Sequence, residues 1–210
     1  MTEIVPVASH IGATFKVAAA GSELSPVDWK TFAERGVPVR GPDPATLGLD
    51  PQPELLIPWN LGNLDSYWRP WAERVHRSGG RRPFRLRPRW STAWGMLGPP
   101  RLHCTIATGE VVAKEQAGEY ALDVFPKRWH PLPTDALAYR RREPSVLRLS
   151  PTERGRRTAD FVLEVVASAR DAARDAASEA DRTRSRRGQP RPVSPPASSR
   201  PRRARRAKAR

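Results

Sequence analysis

The stretch PRLHCTIATGEVVAKEQAGEYALDVFP, Pro100 to Pro126, decides how this chain is read. Leu102 and Ile106 mark one short apolar helix, and Gly109 after Thr108 supplies the residue that most readily ends a helix in the left-handed region. A second helix follows at once. Its apolar positions Ala117, Tyr120, Ala121, Val124 and Phe125 recur at three- and four-residue steps, and Pro126 closes it because proline cannot continue the hydrogen-bond ladder. The spacing predicts a helix-turn-helix hairpin with a one-sided apolar face. Lys114 falls in the first turn of the second helix, where the backbone dipole disfavours a cation by roughly 0.3 to 1 kcal/mol. A phosphate would reverse that penalty, and Arg101 stands one helix earlier as a second cation. A plainer reading pairs Lys114 with Glu110, one helical turn earlier, and leaves Arg101 as a solvated surface cation.

Outward from the hairpin, helical punctuation dominates. Ser25 is an N-cap, Pro26 takes the first helical position, Asp28 sits three residues after the cap, and the helix should run to about Arg35 and stop at Gly36. Gly41-Pro42-Asp43-Pro44 reads as a rigid turn. From Glu54 to Arg77, the residues Leu56, Trp59, Leu64, Tyr67, Trp68, Trp71 and Val75 form one stripe with the spacing of a packing face, expected to lie against the Ala117 to Phe125 face. Pro58 predicts a start for this helix near Ile57, and Pro70 a kink or division. Pro99-Pro100 should likewise break or kink a helix at Gly98. Trp129 to Tyr139 suggests a short helix, and Thr152 to Arg182 a long one whose second half projects. Met1 to Leu24 is unassigned, with Ile11 to Ala20 able to form one strand or an extended segment. The fold class expected is all-α, a bundle of about five or six helices over residues 25–180, followed by a disordered basic tail over 181–210.

Charge is distributed unevenly. The net charge of +15 suggests a polyanionic partner, but twelve cations against the single acid Asp181 from residue 181 onward place +11 there and only +4 in the first 180 residues. The tail and the basic loop Arg77 to Arg89 keep open a nucleic-acid-binding reading, in which salt-dependent RNA binding would be lost with the tail. One cysteine, Cys104, excludes an internal disulfide, and its apolar neighbours suit a small buried hydrophobe better than a nucleophile. The four histidines show no metal-ligand spacing. No apolar run approaches the roughly 20 residues a membrane span needs. No secretory signal is recognisable at the N-terminus, and the lone cysteine fits a reducing, cytoplasmic setting.

The stretch RLHCTIATGEVVAKEQAGEYALDVFPKRWHPLPTDALAY resembles the C-terminal helical domain of aminoglycoside adenylyltransferases, which transfer AMP from ATP to an antibiotic hydroxyl. The likeness rests on Arg101, the Thr108-Gly109 turn, Lys114, the Tyr120-Ala121-Leu122 run, Phe125-Pro126 and the Ala138-Tyr139 pair, with ELSPVDWKTFAERGVPVRGPDPATL resembling the entry to that domain. It implies that Arg101, Lys114 and Tyr139 contact ATP, and that this domain walls the cleft of a hydroxyl-bearing acceptor. The family's acidic drug-binding residues are not matched: Arg85, Arg87, Arg89, Ser91 and Trp94 fill that stretch, and arginines would repel an amine-rich drug. The catalytic parts the family requires, a Gly-Ser turn on the triphosphate and paired aspartates holding Mg, have no counterpart, for no Asp-x-Asp occurs in the chain. The resemblance therefore implies a domain whose catalytic partner is missing from a truncated or rearranged chain, inactive by itself.

Overall fold

The computed structural model describes residues 7–11, 14–18, 25–38, 41–79 and 88–188. Strands β1 (Val7–Ile11) and β2 (Thr14–Ala18) pair antiparallel as a hairpin, Val7 opposite Ala18, where a single strand was one expectation. All other regular structure among the described residues is helical, as the all-α reading requires.

Helix α1 (Pro26–Arg35) forms because its start is chemically specified. The Asp28 N–H donates to Ser25 Oγ at 3.2 Å and the Ser25 N–H to Asp28 Oδ2 at 2.9 Å, a reciprocal capping box behind Pro26. Asp43 caps a short 3-10 turn, Pro44–Thr46, by accepting from the Ala45 N–H. The tryptophan-rich stretch is one helical run in three parts: α2 (Pro53–Asn63), a π-turn (Leu64–Trp68) and α3 (Arg69–Arg77). It begins at Pro53 rather than near Ile57, with Pro58 inside it. The division expected at Pro70 is the π-turn, closed by the Arg69 N–H on the Leu64 carbonyl; Pro70 has no N–H to offer the turn before it. Counted as one, this run makes six helices in the described chain, with α4 (Pro88–Thr108), α5 (Lys114–Val124), α6 (Pro131–Arg140) and α7 (Pro151–Gly188).

Two expectations about these helices are corrected. Helix α4 runs unbroken through Pro99 and Pro100 for 21 residues, so the first hairpin helix is long rather than short. Both prolines are buried, and packing on several sides of α4 holds together what local preference would interrupt. Helix α7 continues to Gly188, past the boundary set at residue 181 for the tail; residues 189–210 lie outside the described residues.

Helices α4 and α7 form the central pair. On one side Leu64, Trp68, Trp71 and Val75 pack with Ile106 and with Ala159, Val162 and Val166. On the other, Ala121 and Phe125 of α5 and Leu132 and Leu137 of α6 pack with Met96, Leu97, Phe161 and Val165. The tryptophan stripe and the α5 face therefore lie on opposite flanks and do not meet. Phe161 and Val162 serve different flanks because successive helical residues point about 100° apart. Close approach to α4 depends on glycine. A Cβ at Gly98 would stand 2.3 Å from Trp68 Cζ2, and one at Gly95 2.5 Å from Thr158 Cγ2.

A buried ion pair locks α6 to α7. Arg154 Nη1 donates to Asp135 Oδ2 at 2.7 Å, while Asp135 Oδ1 accepts from Ser145 Oγ at 2.6 Å and the Val146 N–H at 3.0 Å. Between α4 and α5, buried His103 meets the Tyr120 hydroxyl at 2.7 Å through Nδ1. Burial lowers the His103 pKa to about 4 and raises that of Tyr120 to about 12.

Two outcomes follow from this packing. Gly98→Ala should destabilise the fold by about 1 to 3 kcal/mol in urea, since the Trp68 ring must move; a variant as stable as the parent would mean that α4 is not held by this contact. Unfolded His103 takes a proton near pH 6.5 that the folded protein refuses until about pH 4, so stability should fall as pH drops through that window. In His103→Gln the slope between pH 6.5 and 4 should be visibly shallower in denaturant titrations; an unchanged slope would show that other groups govern it.

Candidate functional site

The turn between α4 and α5 is built locally. Gly109 has φ +75°, Thr105 Oγ1 donates to the Glu110 carbonyl at 2.9 Å, and the Glu110 N–H donates to Thr108 Oγ1 at 3.1 Å. The chain then extends to Ala113, the N-cap of α5, which has no side-chain oxygen to offer the first-turn N–H groups. Gln116 reaches back to accept the Ala113 N–H at 2.8 Å. Lys114 is the first residue of α5, as the spacing predicts.

Arg101 and Lys114 line one cavity of about 380 Å3, walled also by Trp59, Trp68 and Trp94 and bordered by Ser25 and Asp28 of the α1 cap. Arg101 Nε donates to the Val112 carbonyl at 3.0 Å, which aligns the guanidinium along the turn. Among the described residues neither cation has a carboxylate within 4 Å. Glu110, the partner that the plainer reading assigned to Lys114, lies 3.5 Å from Arg35 instead, and Arg35 also donates to the Val111 carbonyl at 2.9 Å. The local pairing fails because α1 brings its own arginine to the turn. Burial, then the charges of Arg140 and Arg101, hold the Lys114 ammonium below its ordinary range.

Tyr139 stands apart. It lies on α6 under the Arg89 guanidinium, 5.4 Å from the ring centroid, and lines a separate depression with Arg89, Arg140 and Arg142 rather than the Arg101 and Lys114 cavity. Its neighbour Arg140 is the link between the two places, since Arg140 donates to Glu115 at 2.9 Å and acts on Lys114 by charge. Cys104 is buried, and burial pushes its thiol up, as fits a packing residue. Most of the basic loop, residues 80–87, and the tail from 189 lie outside the described residues.

The sequence reading passed over Asn60. Fully buried in α2, it lines the same cavity, and its Nδ2 donates to the Leu56 carbonyl at 2.7 Å while Oδ1 has no hydrogen-bond partner among the described residues. The available signal was a polar residue between Leu56 and Leu64 on an apolar stripe. Among the described residues no group of three His, Cys, Asp or Glu side chains could hold a metal ion, and no helix is long and apolar enough to cross a membrane.

Compared with family models, curated proteins and solved structures, the chain has no match.

If Lys114 is held charged at a cost, removing the charge should not harm the fold. Lys114→Met should melt at or above the parent temperature at pH 7, and any advantage should fade as pH approaches 10.5, where unfolded lysine also neutralises. A drop of several degrees in a thermal scan would mark Lys114 as a structural partner instead.

Proposed function

We propose that this bundle binds the polyphosphate of ATP between Arg101 and Lys114, as the helical domain of an adenylyltransferase-like protein that transfers AMP to a hydroxyl-bearing acceptor. The observation that carries this reading is one cavity holding two cations, neither with a carboxylate partner among the described residues, beside a helix start without a side-chain cap. Like charges brought together repel, and burial adds a further cost; an anion in the cavity would relieve both. Arg101 supplies a planar fork suited to two phosphate oxygens. Lys114 supplies a compact charge, and the start of α5 adds dipolar attraction for the same anion.

The tryptophan walls suit the remainder of such a ligand. Trp68 and Trp94 lie with centroids 4.2 Å apart beside the cavity, whose volume falls within the range of small-molecule sites. Tyr139 has no place in this cavity, so the proposal rests on Arg101 and Lys114. The transfer step and its magnesium are assigned to no residue of this chain; in the resembling family they belong to a preceding domain.

Isothermal titration of the full chain with ATP checks the reading. Arg101→Ala and Lys114→Ala should each weaken binding by roughly 1.5 to 3 kcal/mol, the scale of a charge-assisted hydrogen bond. Affinity should fall from ATP to ADP to AMP as charge is removed. Variants that bind ATP as the parent does would return both residues to ordinary surface cations.

A further inference from the structure

The Asn60 amide makes the same cavity more specific than a phosphate cradle. One Nδ2 hydrogen is donated to the Leu56 carbonyl of its own helix at 2.7 Å, which fixes the amide orientation, since a flipped amide would set oxygen against oxygen. Oδ1 is then an acceptor with no donor among the described residues, on a fully buried side chain. Buried acceptors are nearly always satisfied, and leaving one open is costly. Leucine at this position would extend the apolar stripe of Leu56 and Leu64 and remove that cost. Nothing else in the described packing uses the oxygen.

We propose that Asn60 is a specificity residue that accepts a hydrogen bond from the nucleoside part of the ligand, so that the cavity takes a nucleotide in preference to a bare polyphosphate. This rests on the reading of Arg101 and Lys114 as the phosphate end. Asn60, Arg101 and Lys114 line one cavity, with Trp59, Trp68 and Trp94 supplying flat apolar surface. A ligand satisfying all of them carries an anionic end and an N–H or O–H donor on a ring-bearing body. A nucleoside triphosphate meets that description through either a base amine or a ribose hydroxyl, whereas inorganic tripolyphosphate has the charge and lacks the ring-borne donor.

The test is calorimetric titration of the full chain with ATP, inorganic tripolyphosphate, purine riboside 5′-triphosphate, which lacks the base amine, and 2′,3′-dideoxy-ATP, which lacks the ribose hydroxyls. The parent should prefer ATP to tripolyphosphate by about tenfold or more, the factor that corresponds to one hydrogen bond to a buried group. One of the two analogues should lose that preference and so identify the donor. Asn60→Leu should abolish the preference for ATP, leave tripolyphosphate affinity within about twofold of the parent, and melt no lower than the parent. The analogue series on the parent chain needs no variant, so a misfolded Asn60→Leu would not spare the proposal. Equal affinity for ATP and tripolyphosphate, a preference kept by both analogues, or an Asn60→Leu variant that folds and retains it would overturn this inference while leaving the phosphate reading intact. A parent chain that binds neither ligand would overturn both.

Discussion

Helix α4 can lie where it does only because two of its residues have no side chain. At Gly98 the Trp68 ring occupies the space a Cβ would take, and at Gly95 the Thr158 methyl does the same from α7. The helix is thus held between the tryptophan run and α7 at less than an ordinary side-chain separation. That placement also makes the candidate site. Gly98, Arg101, Leu102 and Thr105 follow one another along a single face of α4, so the contact that seats the helix also aims Arg101 into the cavity. Packing and recognition share one surface, and a change that moves the first moves the second.

The far flank is fixed by a different force. Asp135 and Arg154 are both buried, and their ion pair is completed by Ser145, the Val146 N–H and the Leu147 carbonyl, so neither charge is left bare. Such a pair adds little net stability over an apolar substitute, but losing one partner strands the other at about 3 to 5 kcal/mol. Its value here is geometric. It ties the segment joining α6 to α7 and thereby sets the rotation of α6, on which Tyr139 faces Arg89 while Arg140 reaches Glu115.

What could be read from sequence was what short-range chemistry decides. Ser25, Pro26 and Asp28 specify the start of α1 within four residues, and Gly109 with the apolar recurrence after it puts Lys114 in the first turn of α5. What could not be read depended on contacts between distant segments. Pro99 and Pro100 argue locally for a break, yet burial on several sides carries α4 through them. The tryptophan stripe was legible as a packing face, but not its partners, because that depends on how far each helix is rotated about its axis. Glu110 was given the nearest cation in sequence, while the fold gives it Arg35. Asn60 is a polar residue where the stripe calls for an apolar one, and its significance lies in an Oδ1 that no described neighbour satisfies, which only the fold reveals.

The π-turn at Leu64–Trp68 sets a rule about residue number rather than residue type. One wide turn absorbs a residue that a regular helix would turn into about 100° of further rotation, and so keeps Trp71 and Val75 on the α4 and α7 flank. Asp65 in this turn is fastened from both directions, by Arg69 at 2.9 Å and by Arg170 of α7 at 2.8 Å, and these arginines keep its carboxyl acidic. Removing one residue within the turn would restore a regular helix and leave the downstream tryptophan near its seat, whereas removing one from the regular parts of the run would swing it by about 100°. In the drift of sequences over time, a change of one residue in length should therefore be accepted within this turn far more readily than elsewhere in the run.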